Sequence, residues 1–198
     1  MTPDRREEPG GPPDDGEADE ALLTRAARDG SAFETLVRRH STALHGYFAR
    51  RAPEAADDLL SECWLQAYTT RRGFDAGRGS ARAWLFGVAR NVLSTHWRRA
   101  VHRSVGSPGD GAGGDCWEAV DARLDAAALA PELRRRLADL PADERELLLL
   151  VAWEQLSPTE AAAAVGVPAG TARSRLHRAR TRLRDHLRAR TELTGEPA

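Results

Sequence analysis

The chain has 198 residues, 41% hydrophobic and 30% charged, with 29 basic residues against 30 acidic ones and a formal net charge of −1. That length fits one or two small domains, and the lack of any long uncharged apolar run behind an acidic, proline-rich start predicts a soluble, cytoplasmic protein with neither membrane span nor secretory signal. Cys63 and Cys116 are the only cysteines and have no CxxC partner, which argues against a disulfide framework or a zinc site.

The near balance of charge conceals segregation. Asp4, Glu7, Glu8, Asp14, Asp15, Glu17, Asp19 and Glu20 make the start acidic, and residues 1–19, rich in Pro and Gly, are expected to be a disordered head. No acid occurs between Asp75 and Asp110, whereas Arg78, Arg82, Arg90, Arg98, Arg99 and Arg103 do. Lysine is absent throughout, so every cationic side chain is a planar guanidinium suited to phosphates and guanine edges, although a GC-rich coding bias explains that equally well.

From residue 20 onward every segment has helical periodicity and no strand pattern of useful length appears. Ser31 with Glu34 reads as a capping box ahead of Leu36, Val37, Leu44, Tyr47 and Phe48. After Pro53 a helix over about 55–68 buries Ala56, Leu59, Leu60, Cys63, Trp64 and Ala67, leaving Asp57, Asp58, Ser61, Glu62 and Gln66 on the other side. Taken alone, that face is most simply a solvated helix surface.

The loop from Phe74 through the glycine-rich Asp75–Ser80 leads into Trp84, Leu85, Val88, Val92 and Leu93. Trp84, Phe86 and Trp97 alternate with arginines and Asn91. Such a mixture suits unpaired nucleic acid, because bases stack on aromatic faces while guanidiniums follow the backbone. Trp84 and Trp97 are equally reasonable as core residues.

Residues 104–130, with Gly106, Pro108, Gly109, Gly111, Gly113 and Gly114, read as a flexible linker between two small helical domains, 20–103 and 131–190, with 191–198 a tail. Pro131 and Pro141 are each expected at a first helical position. Ser157, Pro158 and Glu160 then form a capping box, Gly166 stops the helix, and Pro168 can open the next. In that last helix Ala172, Leu176, Ala179, Leu183 and Leu187 make one apolar stripe. Arg173, Ser174, His177 and Arg178 near its N-terminal end suit base edges in a major groove, and Arg175, Arg180, Arg182, Arg184, Arg188 and Arg190 suit phosphates. The pattern is a helix-turn-helix.

Catalytic arrangements are not apparent. The six histidines lack metal spacing such as HExxH, and neither a phosphate loop nor a GxSxG elbow occurs, so no metal, no cofactor and no enzymatic activity are expected.

In this order the parts resemble a bacterial RNA polymerase sigma factor of the extracytoplasmic-function group of the sigma-70 family, over about Glu20 to Arg188. Residues 56–68 resemble the polymerase-clamp-binding helix, residues 84–91 the segment that meets the minus-10 element, and Leu140-Pro141 with residues 170–180 the domain that meets the minus-35 element. The resemblance implies that Asp58, Glu62 and Gln66 contact core polymerase. It places Phe74, Arg78, Arg82, Asn91, Arg98 and Arg99 at the minus-10 DNA, where a flipped base is captured and Trp84 supports the loop. It sets Thr171, Arg173, Ser174, Arg175, His177 and Arg178 in the minus-35 groove. The acidic residues Asp110, Asp115, Glu118, Asp121 and Asp125 would thread toward the polymerase cleft. An anti-sigma factor is a further partner the resemblance admits. Ala161 and Ala172 depart from it, standing where larger aliphatic residues are usual. The rivals are a dimeric helix-turn-helix repressor or activator, which leaves the basic aromatic zone unexplained, and a protein that sequesters polymerase without reading DNA.

Overall fold

The structure, a computed structural model, describes residues 17–105 and 131–194. The acidic head before residue 17 and the expected linker over 106–130, with Cys116 and the acidic residues from Asp110 to Asp125, lie outside the described residues, as do the side chains of Arg103, Leu187, Arg188 and Arg190.

The described residues are helical, without strands, in keeping with the all-α expectation. The helices are α1 (Asp19–Arg25), α2 (Gly30–Ala49), α3 (Ala56–Thr70), α4 (Ala81–Val105), α5 (Pro131–Ala138), α6 (Ala142–Ala152), α7 (Pro158–Val165) and α8 (Ala169–Thr194). Single 3-10 turns over Pro53–Ala55, Arg71–Gly73 and Ala76–Arg78 connect α2 to α3 and α3 to α4.

Two helix starts differ from expectation. The cap of α2 is Asp29, whose carboxylate accepts from the Ser31 backbone N–H at 2.9 Å and from the Ser31 hydroxyl at 2.7 Å. A carboxylate two residues upstream outcompetes the serine hydroxyl for the orphan donors, so no Ser31/Glu34 box forms. Pro141 precedes α6 as its cap, with an extended ψ of 139°, and its carbonyl takes the first helical bonds from Glu144 and Arg145. Pro131 does open α5.

α2, α3 and α4 pack together through the apolar positions read from periodicity. Leu59, Cys63 and Ala67 are buried on α3, and Trp64 meets the Phe33 ring edge-on at 5.7 Å while donating its indole N–H to the Ser41 hydroxyl. Burial pushes the Cys63 thiol up to about 12, so it remains protonated and inert at neutral pH. Trp97 is buried, which settles it as a core residue.

α4 is covered on two sides. One faces α2 and α3, and the other lies against α7 of the C-terminal half. A side-chain carbon at Gly87 would stand 3.4 Å from the Ala164 carbonyl oxygen, an ordinary contact, so the α4 and α7 backbones approach closely at this point. Ala161 and Ala162 are buried on α7, and small residues there follow from the same close approach. One continuous core therefore runs from Leu22 to Leu176, with a smaller cluster of Leu137, Leu140, Leu149 and Ala179 beneath α8.

Candidate nucleic-acid interface

The C-terminal turn is built as its sequence requires. Ser157 accepts from the Glu160 N–H at 3.2 Å and the Glu160 carboxylate accepts from the Ser157 N–H at 2.9 Å, a complete capping box. Gly166 ends α7 in the left-handed region with φ 78°, and the Val167 N–H returns to the Ala162 carbonyl. α8 then begins with Ala172, Leu176 and Ala179 buried toward α6 and α7, which leaves Arg173, Ser174, His177 and Arg180 exposed.

The candidates on α8 divide into two groups. Arg173 and Ser174 bond only to carbonyls of their own first turns, Ala169 and Thr171, and can turn outward. Arg178 and Arg182, by contrast, converge on one buried carboxylate, Glu144 of α6, at 2.9 and 2.6 Å, and Arg175 reaches Asp143 at 3.1 Å. These arginines also moor the recognition helix to its neighbour. Thr171 is half-buried at the helix start.

The basic aromatic zone is not one cluster. Phe74 is half-buried and meets the half-buried Trp84 edge-on at 5.9 Å, so Trp84 braces the loop. Arg78 is exposed in the adjoining turn, where the Asp75 carboxylate accepts from the Gly77 N–H. Arg82 lies in α4 rather than the loop and points at the C-terminal half, donating to the Glu154 carbonyl at 2.5 Å. Asn91 and Arg98 are exposed further along α4, and Asn91 lies about 13 Å of helix rise beyond Arg82. Arg99 approaches Glu62 of α3 at 3.7 Å, which joins the expected DNA-contacting and polymerase-contacting sets along one edge.

On α3, Asp58 and Glu62 are exposed and Gln66 is half-buried. Leu65 is 65% exposed beside them, the most open large apolar side chain among the described residues, with Tyr68 exposed as well. Exposed apolar side chains thus stand beside the exposed acids on this face of α3.

The sequence reading missed the charged cluster between the two halves. Arg51 of the α2 terminus is fully buried with its guanidinium 3.9 Å from the centre of the Tyr47 ring, donating to Glu154 at 3.2 Å. Arg50 donates to the other Glu154 oxygen at 2.6 Å, and the Tyr47 hydroxyl donates to Glu146 of α6 at 3.4 Å. Glu154 immediately precedes Gln155, the one described non-glycine residue with positive φ, at 57°. Nearby, the Ser80 hydroxyl donates to Glu160 at 2.7 Å, and a cleft of about 560 Å³ opens between Phe74, Arg78 and Trp84 on one side and Ala162, Val167 and Pro168 on the other. Among the described residues no group of three or more His, Cys, Asp or Glu side chains could hold a metal ion, and no helix is long and apolar enough to cross a membrane.

Comparison with known proteins assigns both halves. Residues 36–103 match the family described as Sigma-70 region 2, and residues 131–183 match Sigma-70, region 4. The chain is 36% identical over 173 residues to a probable RNA polymerase sigma-C factor of Mycobacterium bovis, covering 85% of this chain and 91% of that one. It is 34% identical over 166 residues to the ECF RNA polymerase sigma factor SigF of Caulobacter vibrioides, covering 81% and 88%. Among solved structures it is similar to CnrH in complex with the cytosolic domain of CnrY, with TM-score 0.59 and 26% identity over 87% of this chain and 99% of that one. It is also similar to RpoE in complex with the anti-sigma factor NepR from Bartonella quintana, with TM-score 0.55 and 26% identity over 79% and 96%.

Proposed function

Because the chain belongs to the extracytoplasmic-function group of the sigma-70 family of RNA polymerase sigma factors, we propose a division of its surface among the partners that such a subunit must hold. A sigma factor binds core RNA polymerase and directs it to promoters, and this chain is one. Core polymerase takes the α3 face of Asp58, Glu62 and Gln66, with Leu65 as the apolar centre. Residues Phe74, Arg78, Asn91, Arg98 and Arg99 meet the minus-10 element, where Phe74, braced by Trp84, supplies an aromatic face for unstacked bases. Arg173, Ser174 and His177 read base edges of the minus-35 groove, with Thr171 and Arg175 at its border, while Arg178, held by Glu144, faces the phosphates. The chain makes no bond itself, and it acts where core polymerase and DNA are, in the cytoplasm.

The observation that carries this reading is that one chain exposes both a basic helix behind a capped turn and an acidic, apolar-centred α3 surface. A dimeric repressor has no use for the second. Two weak DNA contacts joined through polymerase gain effective concentration, so the free chain is expected to bind promoter DNA poorly. The two solved relatives held by CnrY and by an anti-sigma factor support an anti-sigma partner for this chain as well. In a reconstituted assay with core polymerase, promoter-specific transcripts are expected, falling at least about thirtyfold in Arg173→Ala/His177→Ala, as for two lost base contacts worth roughly 1–3 kcal/mol each. A double variant that transcribes like the wild type sinks the assignment of α8.

A further inference from the structure

Phe74 and Arg78, assigned above to the minus-10 element, stand on the loop Phe74–Ser80 that joins the turn after α3 to the start of α4. The bonds within this loop are short in range: the Phe74 N–H donates to the Arg71 carbonyl, the Gly77 N–H to the Asp75 carboxylate and the Arg78 N–H to the Asp75 carbonyl. Such bonds shape a turn, but where its backbone points is decided by what holds its two ends. Both ends are tied to one short helix. At the entry, Arg71 donates its Nε–H to the Ala26 carbonyl, just past the end of α1, at 2.8 Å, with its guanidinium 3.6 Å from the centre of the Tyr68 ring. At the exit, the Ala81 N–H, first in α4, donates to the carboxylate of Glu20 in the first turn of α1 at 2.9 Å. Glu20 and Ala26 are about 9 Å apart along the helix axis. We infer that α1 braces the minus-10 loop, and that Glu20 is a positioning residue for promoter reading, which touches no base and acts by fixing the α4 end of that loop. The inference rests on the assignment of Phe74 and Arg78 given above. α1 itself lies ahead of residues 36–103, the part matched to Sigma-70 region 2.

A brace must itself be rigid. Seven residues of helix do not persist alone in water, so α1 takes its order from its neighbours. Leu22, Leu23 and Ala26 are buried in the core, and Asp19 engages Arg39 and His40 of α2 through one oxygen each, both at 2.6 Å. Arg39 also donates to the Glu17 carbonyl at 2.7 Å. On the other side, the first N–H groups of α4 have no partner within that helix. Ser80 takes one of them, accepting from Ala83 at 3.1 Å while its hydroxyl donates to Glu160, and Glu20 takes that of Ala81. A negative charge this close to a loop meant for DNA weakens its attraction for phosphates. What the carboxylate contributes is therefore the bond and not the charge. A loop held at both ends has fewer conformations to lose when it captures a base, which is affinity gained without a new contact.

Glu20→Ala removes the acceptor, whereas Glu20→Gln keeps an oxygen there and removes only the charge. Each full-length variant is assembled with core polymerase, and its affinity is measured for two probes. One is a single-stranded oligonucleotide with the non-template minus-10 sequence of a promoter that the wild type transcribes, and the other is a duplex with the minus-35 element. Glu20→Ala is expected to bind the single strand about fivefold or more weakly, the size of one lost base stack, and the duplex as the wild type does. Glu20→Gln should bind both at least as well as the wild type. A loss on the duplex as large as that on the single strand would mean a general loosening of the chain, and no loss on either would mean that the loop keeps its place unaided. Each overturns the brace. So does Glu20→Gln as weak as Glu20→Ala, and so does tighter binding of the single strand by both, which would reduce Glu20 to its charge. A wild-type holoenzyme that does not prefer the minus-10 strand to a scrambled one overturns the assignment of the loop, and the brace with it.

Discussion

Glu144 shows how one buried carboxylate can set the posture of a DNA-reading helix. It is almost fully buried, whereas Arg178 and Arg182, which it holds from α8, are each about half exposed. The neighbouring pair, Arg175 with Asp143, has its acid more than half exposed. Physical chemistry distinguishes them, since an exposed pair is screened by solvent while a buried acid that loses its charge leaves two anchored arginines without a counterpart. Glu144→Gln should cost about 1–2 kcal/mol, and Asp143→Asn less than about 0.5 kcal/mol, as read from urea midpoints. Equal losses would mean that neither pair moors α8. The apolar stripe of α8 was legible from spacing alone, but the sequence assigned Arg173 and Arg178 the same task. Their difference arises from an acid 34 residues away from Arg178, which no local pattern reveals.

At the level of the element, the turn from Ser157 to Gly166 was fully readable because each of its determinants acts within a few residues. Burial raises the Glu160 carboxyl, but bonds from the Ser157 N–H, the Ser80 hydroxyl and the Ser157 hydroxyl outweigh it and leave the group below its ordinary value of 4.5. A carboxylate with a depressed folded value contributes stability that is fully present above the ordinary value and is lost as pH falls through the lowered one. Urea stability of the chain should therefore decline on acidification below about pH 4.5, and Ser157→Ala should cost about 1 kcal/mol at neutral pH while flattening that decline. An unchanged acid profile in Ser157→Ala would count against the box. The start of α2 was misread for a reason of the same scale, since Asp29 lies just upstream of Ser31 and is the stronger acceptor.

Across the whole molecule, the two matched halves share one core, and their joint charged cluster links residues 103 positions apart. Periodicity finds which side of a helix is apolar but not which partner covers it, so α4 read as a helix with one buried side although it has two. The signal that was present lay in small residues: Gly87 within a helix, and Ala161 where a larger aliphatic was expected. A shared core makes unfolding cooperative. Tryptophan fluorescence, dominated by α3 and α4, and helical circular dichroism should give one coincident urea transition in the wild type, and Glu154→Ala should separate them into two steps. Coincident transitions in both proteins would mean that the charged cluster does not couple the halves.

Arg51 also bears on how far the halves of such proteins can be exchanged. Its guanidinium is fully buried, and its carboxylate partners come from the far end of the chain. A hybrid that keeps this N-terminal half and imports the C-terminal half of a relative must bring an acid to the place of Glu154, or the shared core is left with an unmatched cation at its centre. Compatibility of halves is therefore written in residues outside α8, whereas an exchange of α8 and its turn alone leaves Glu146 and Glu154 in place and the cluster matched.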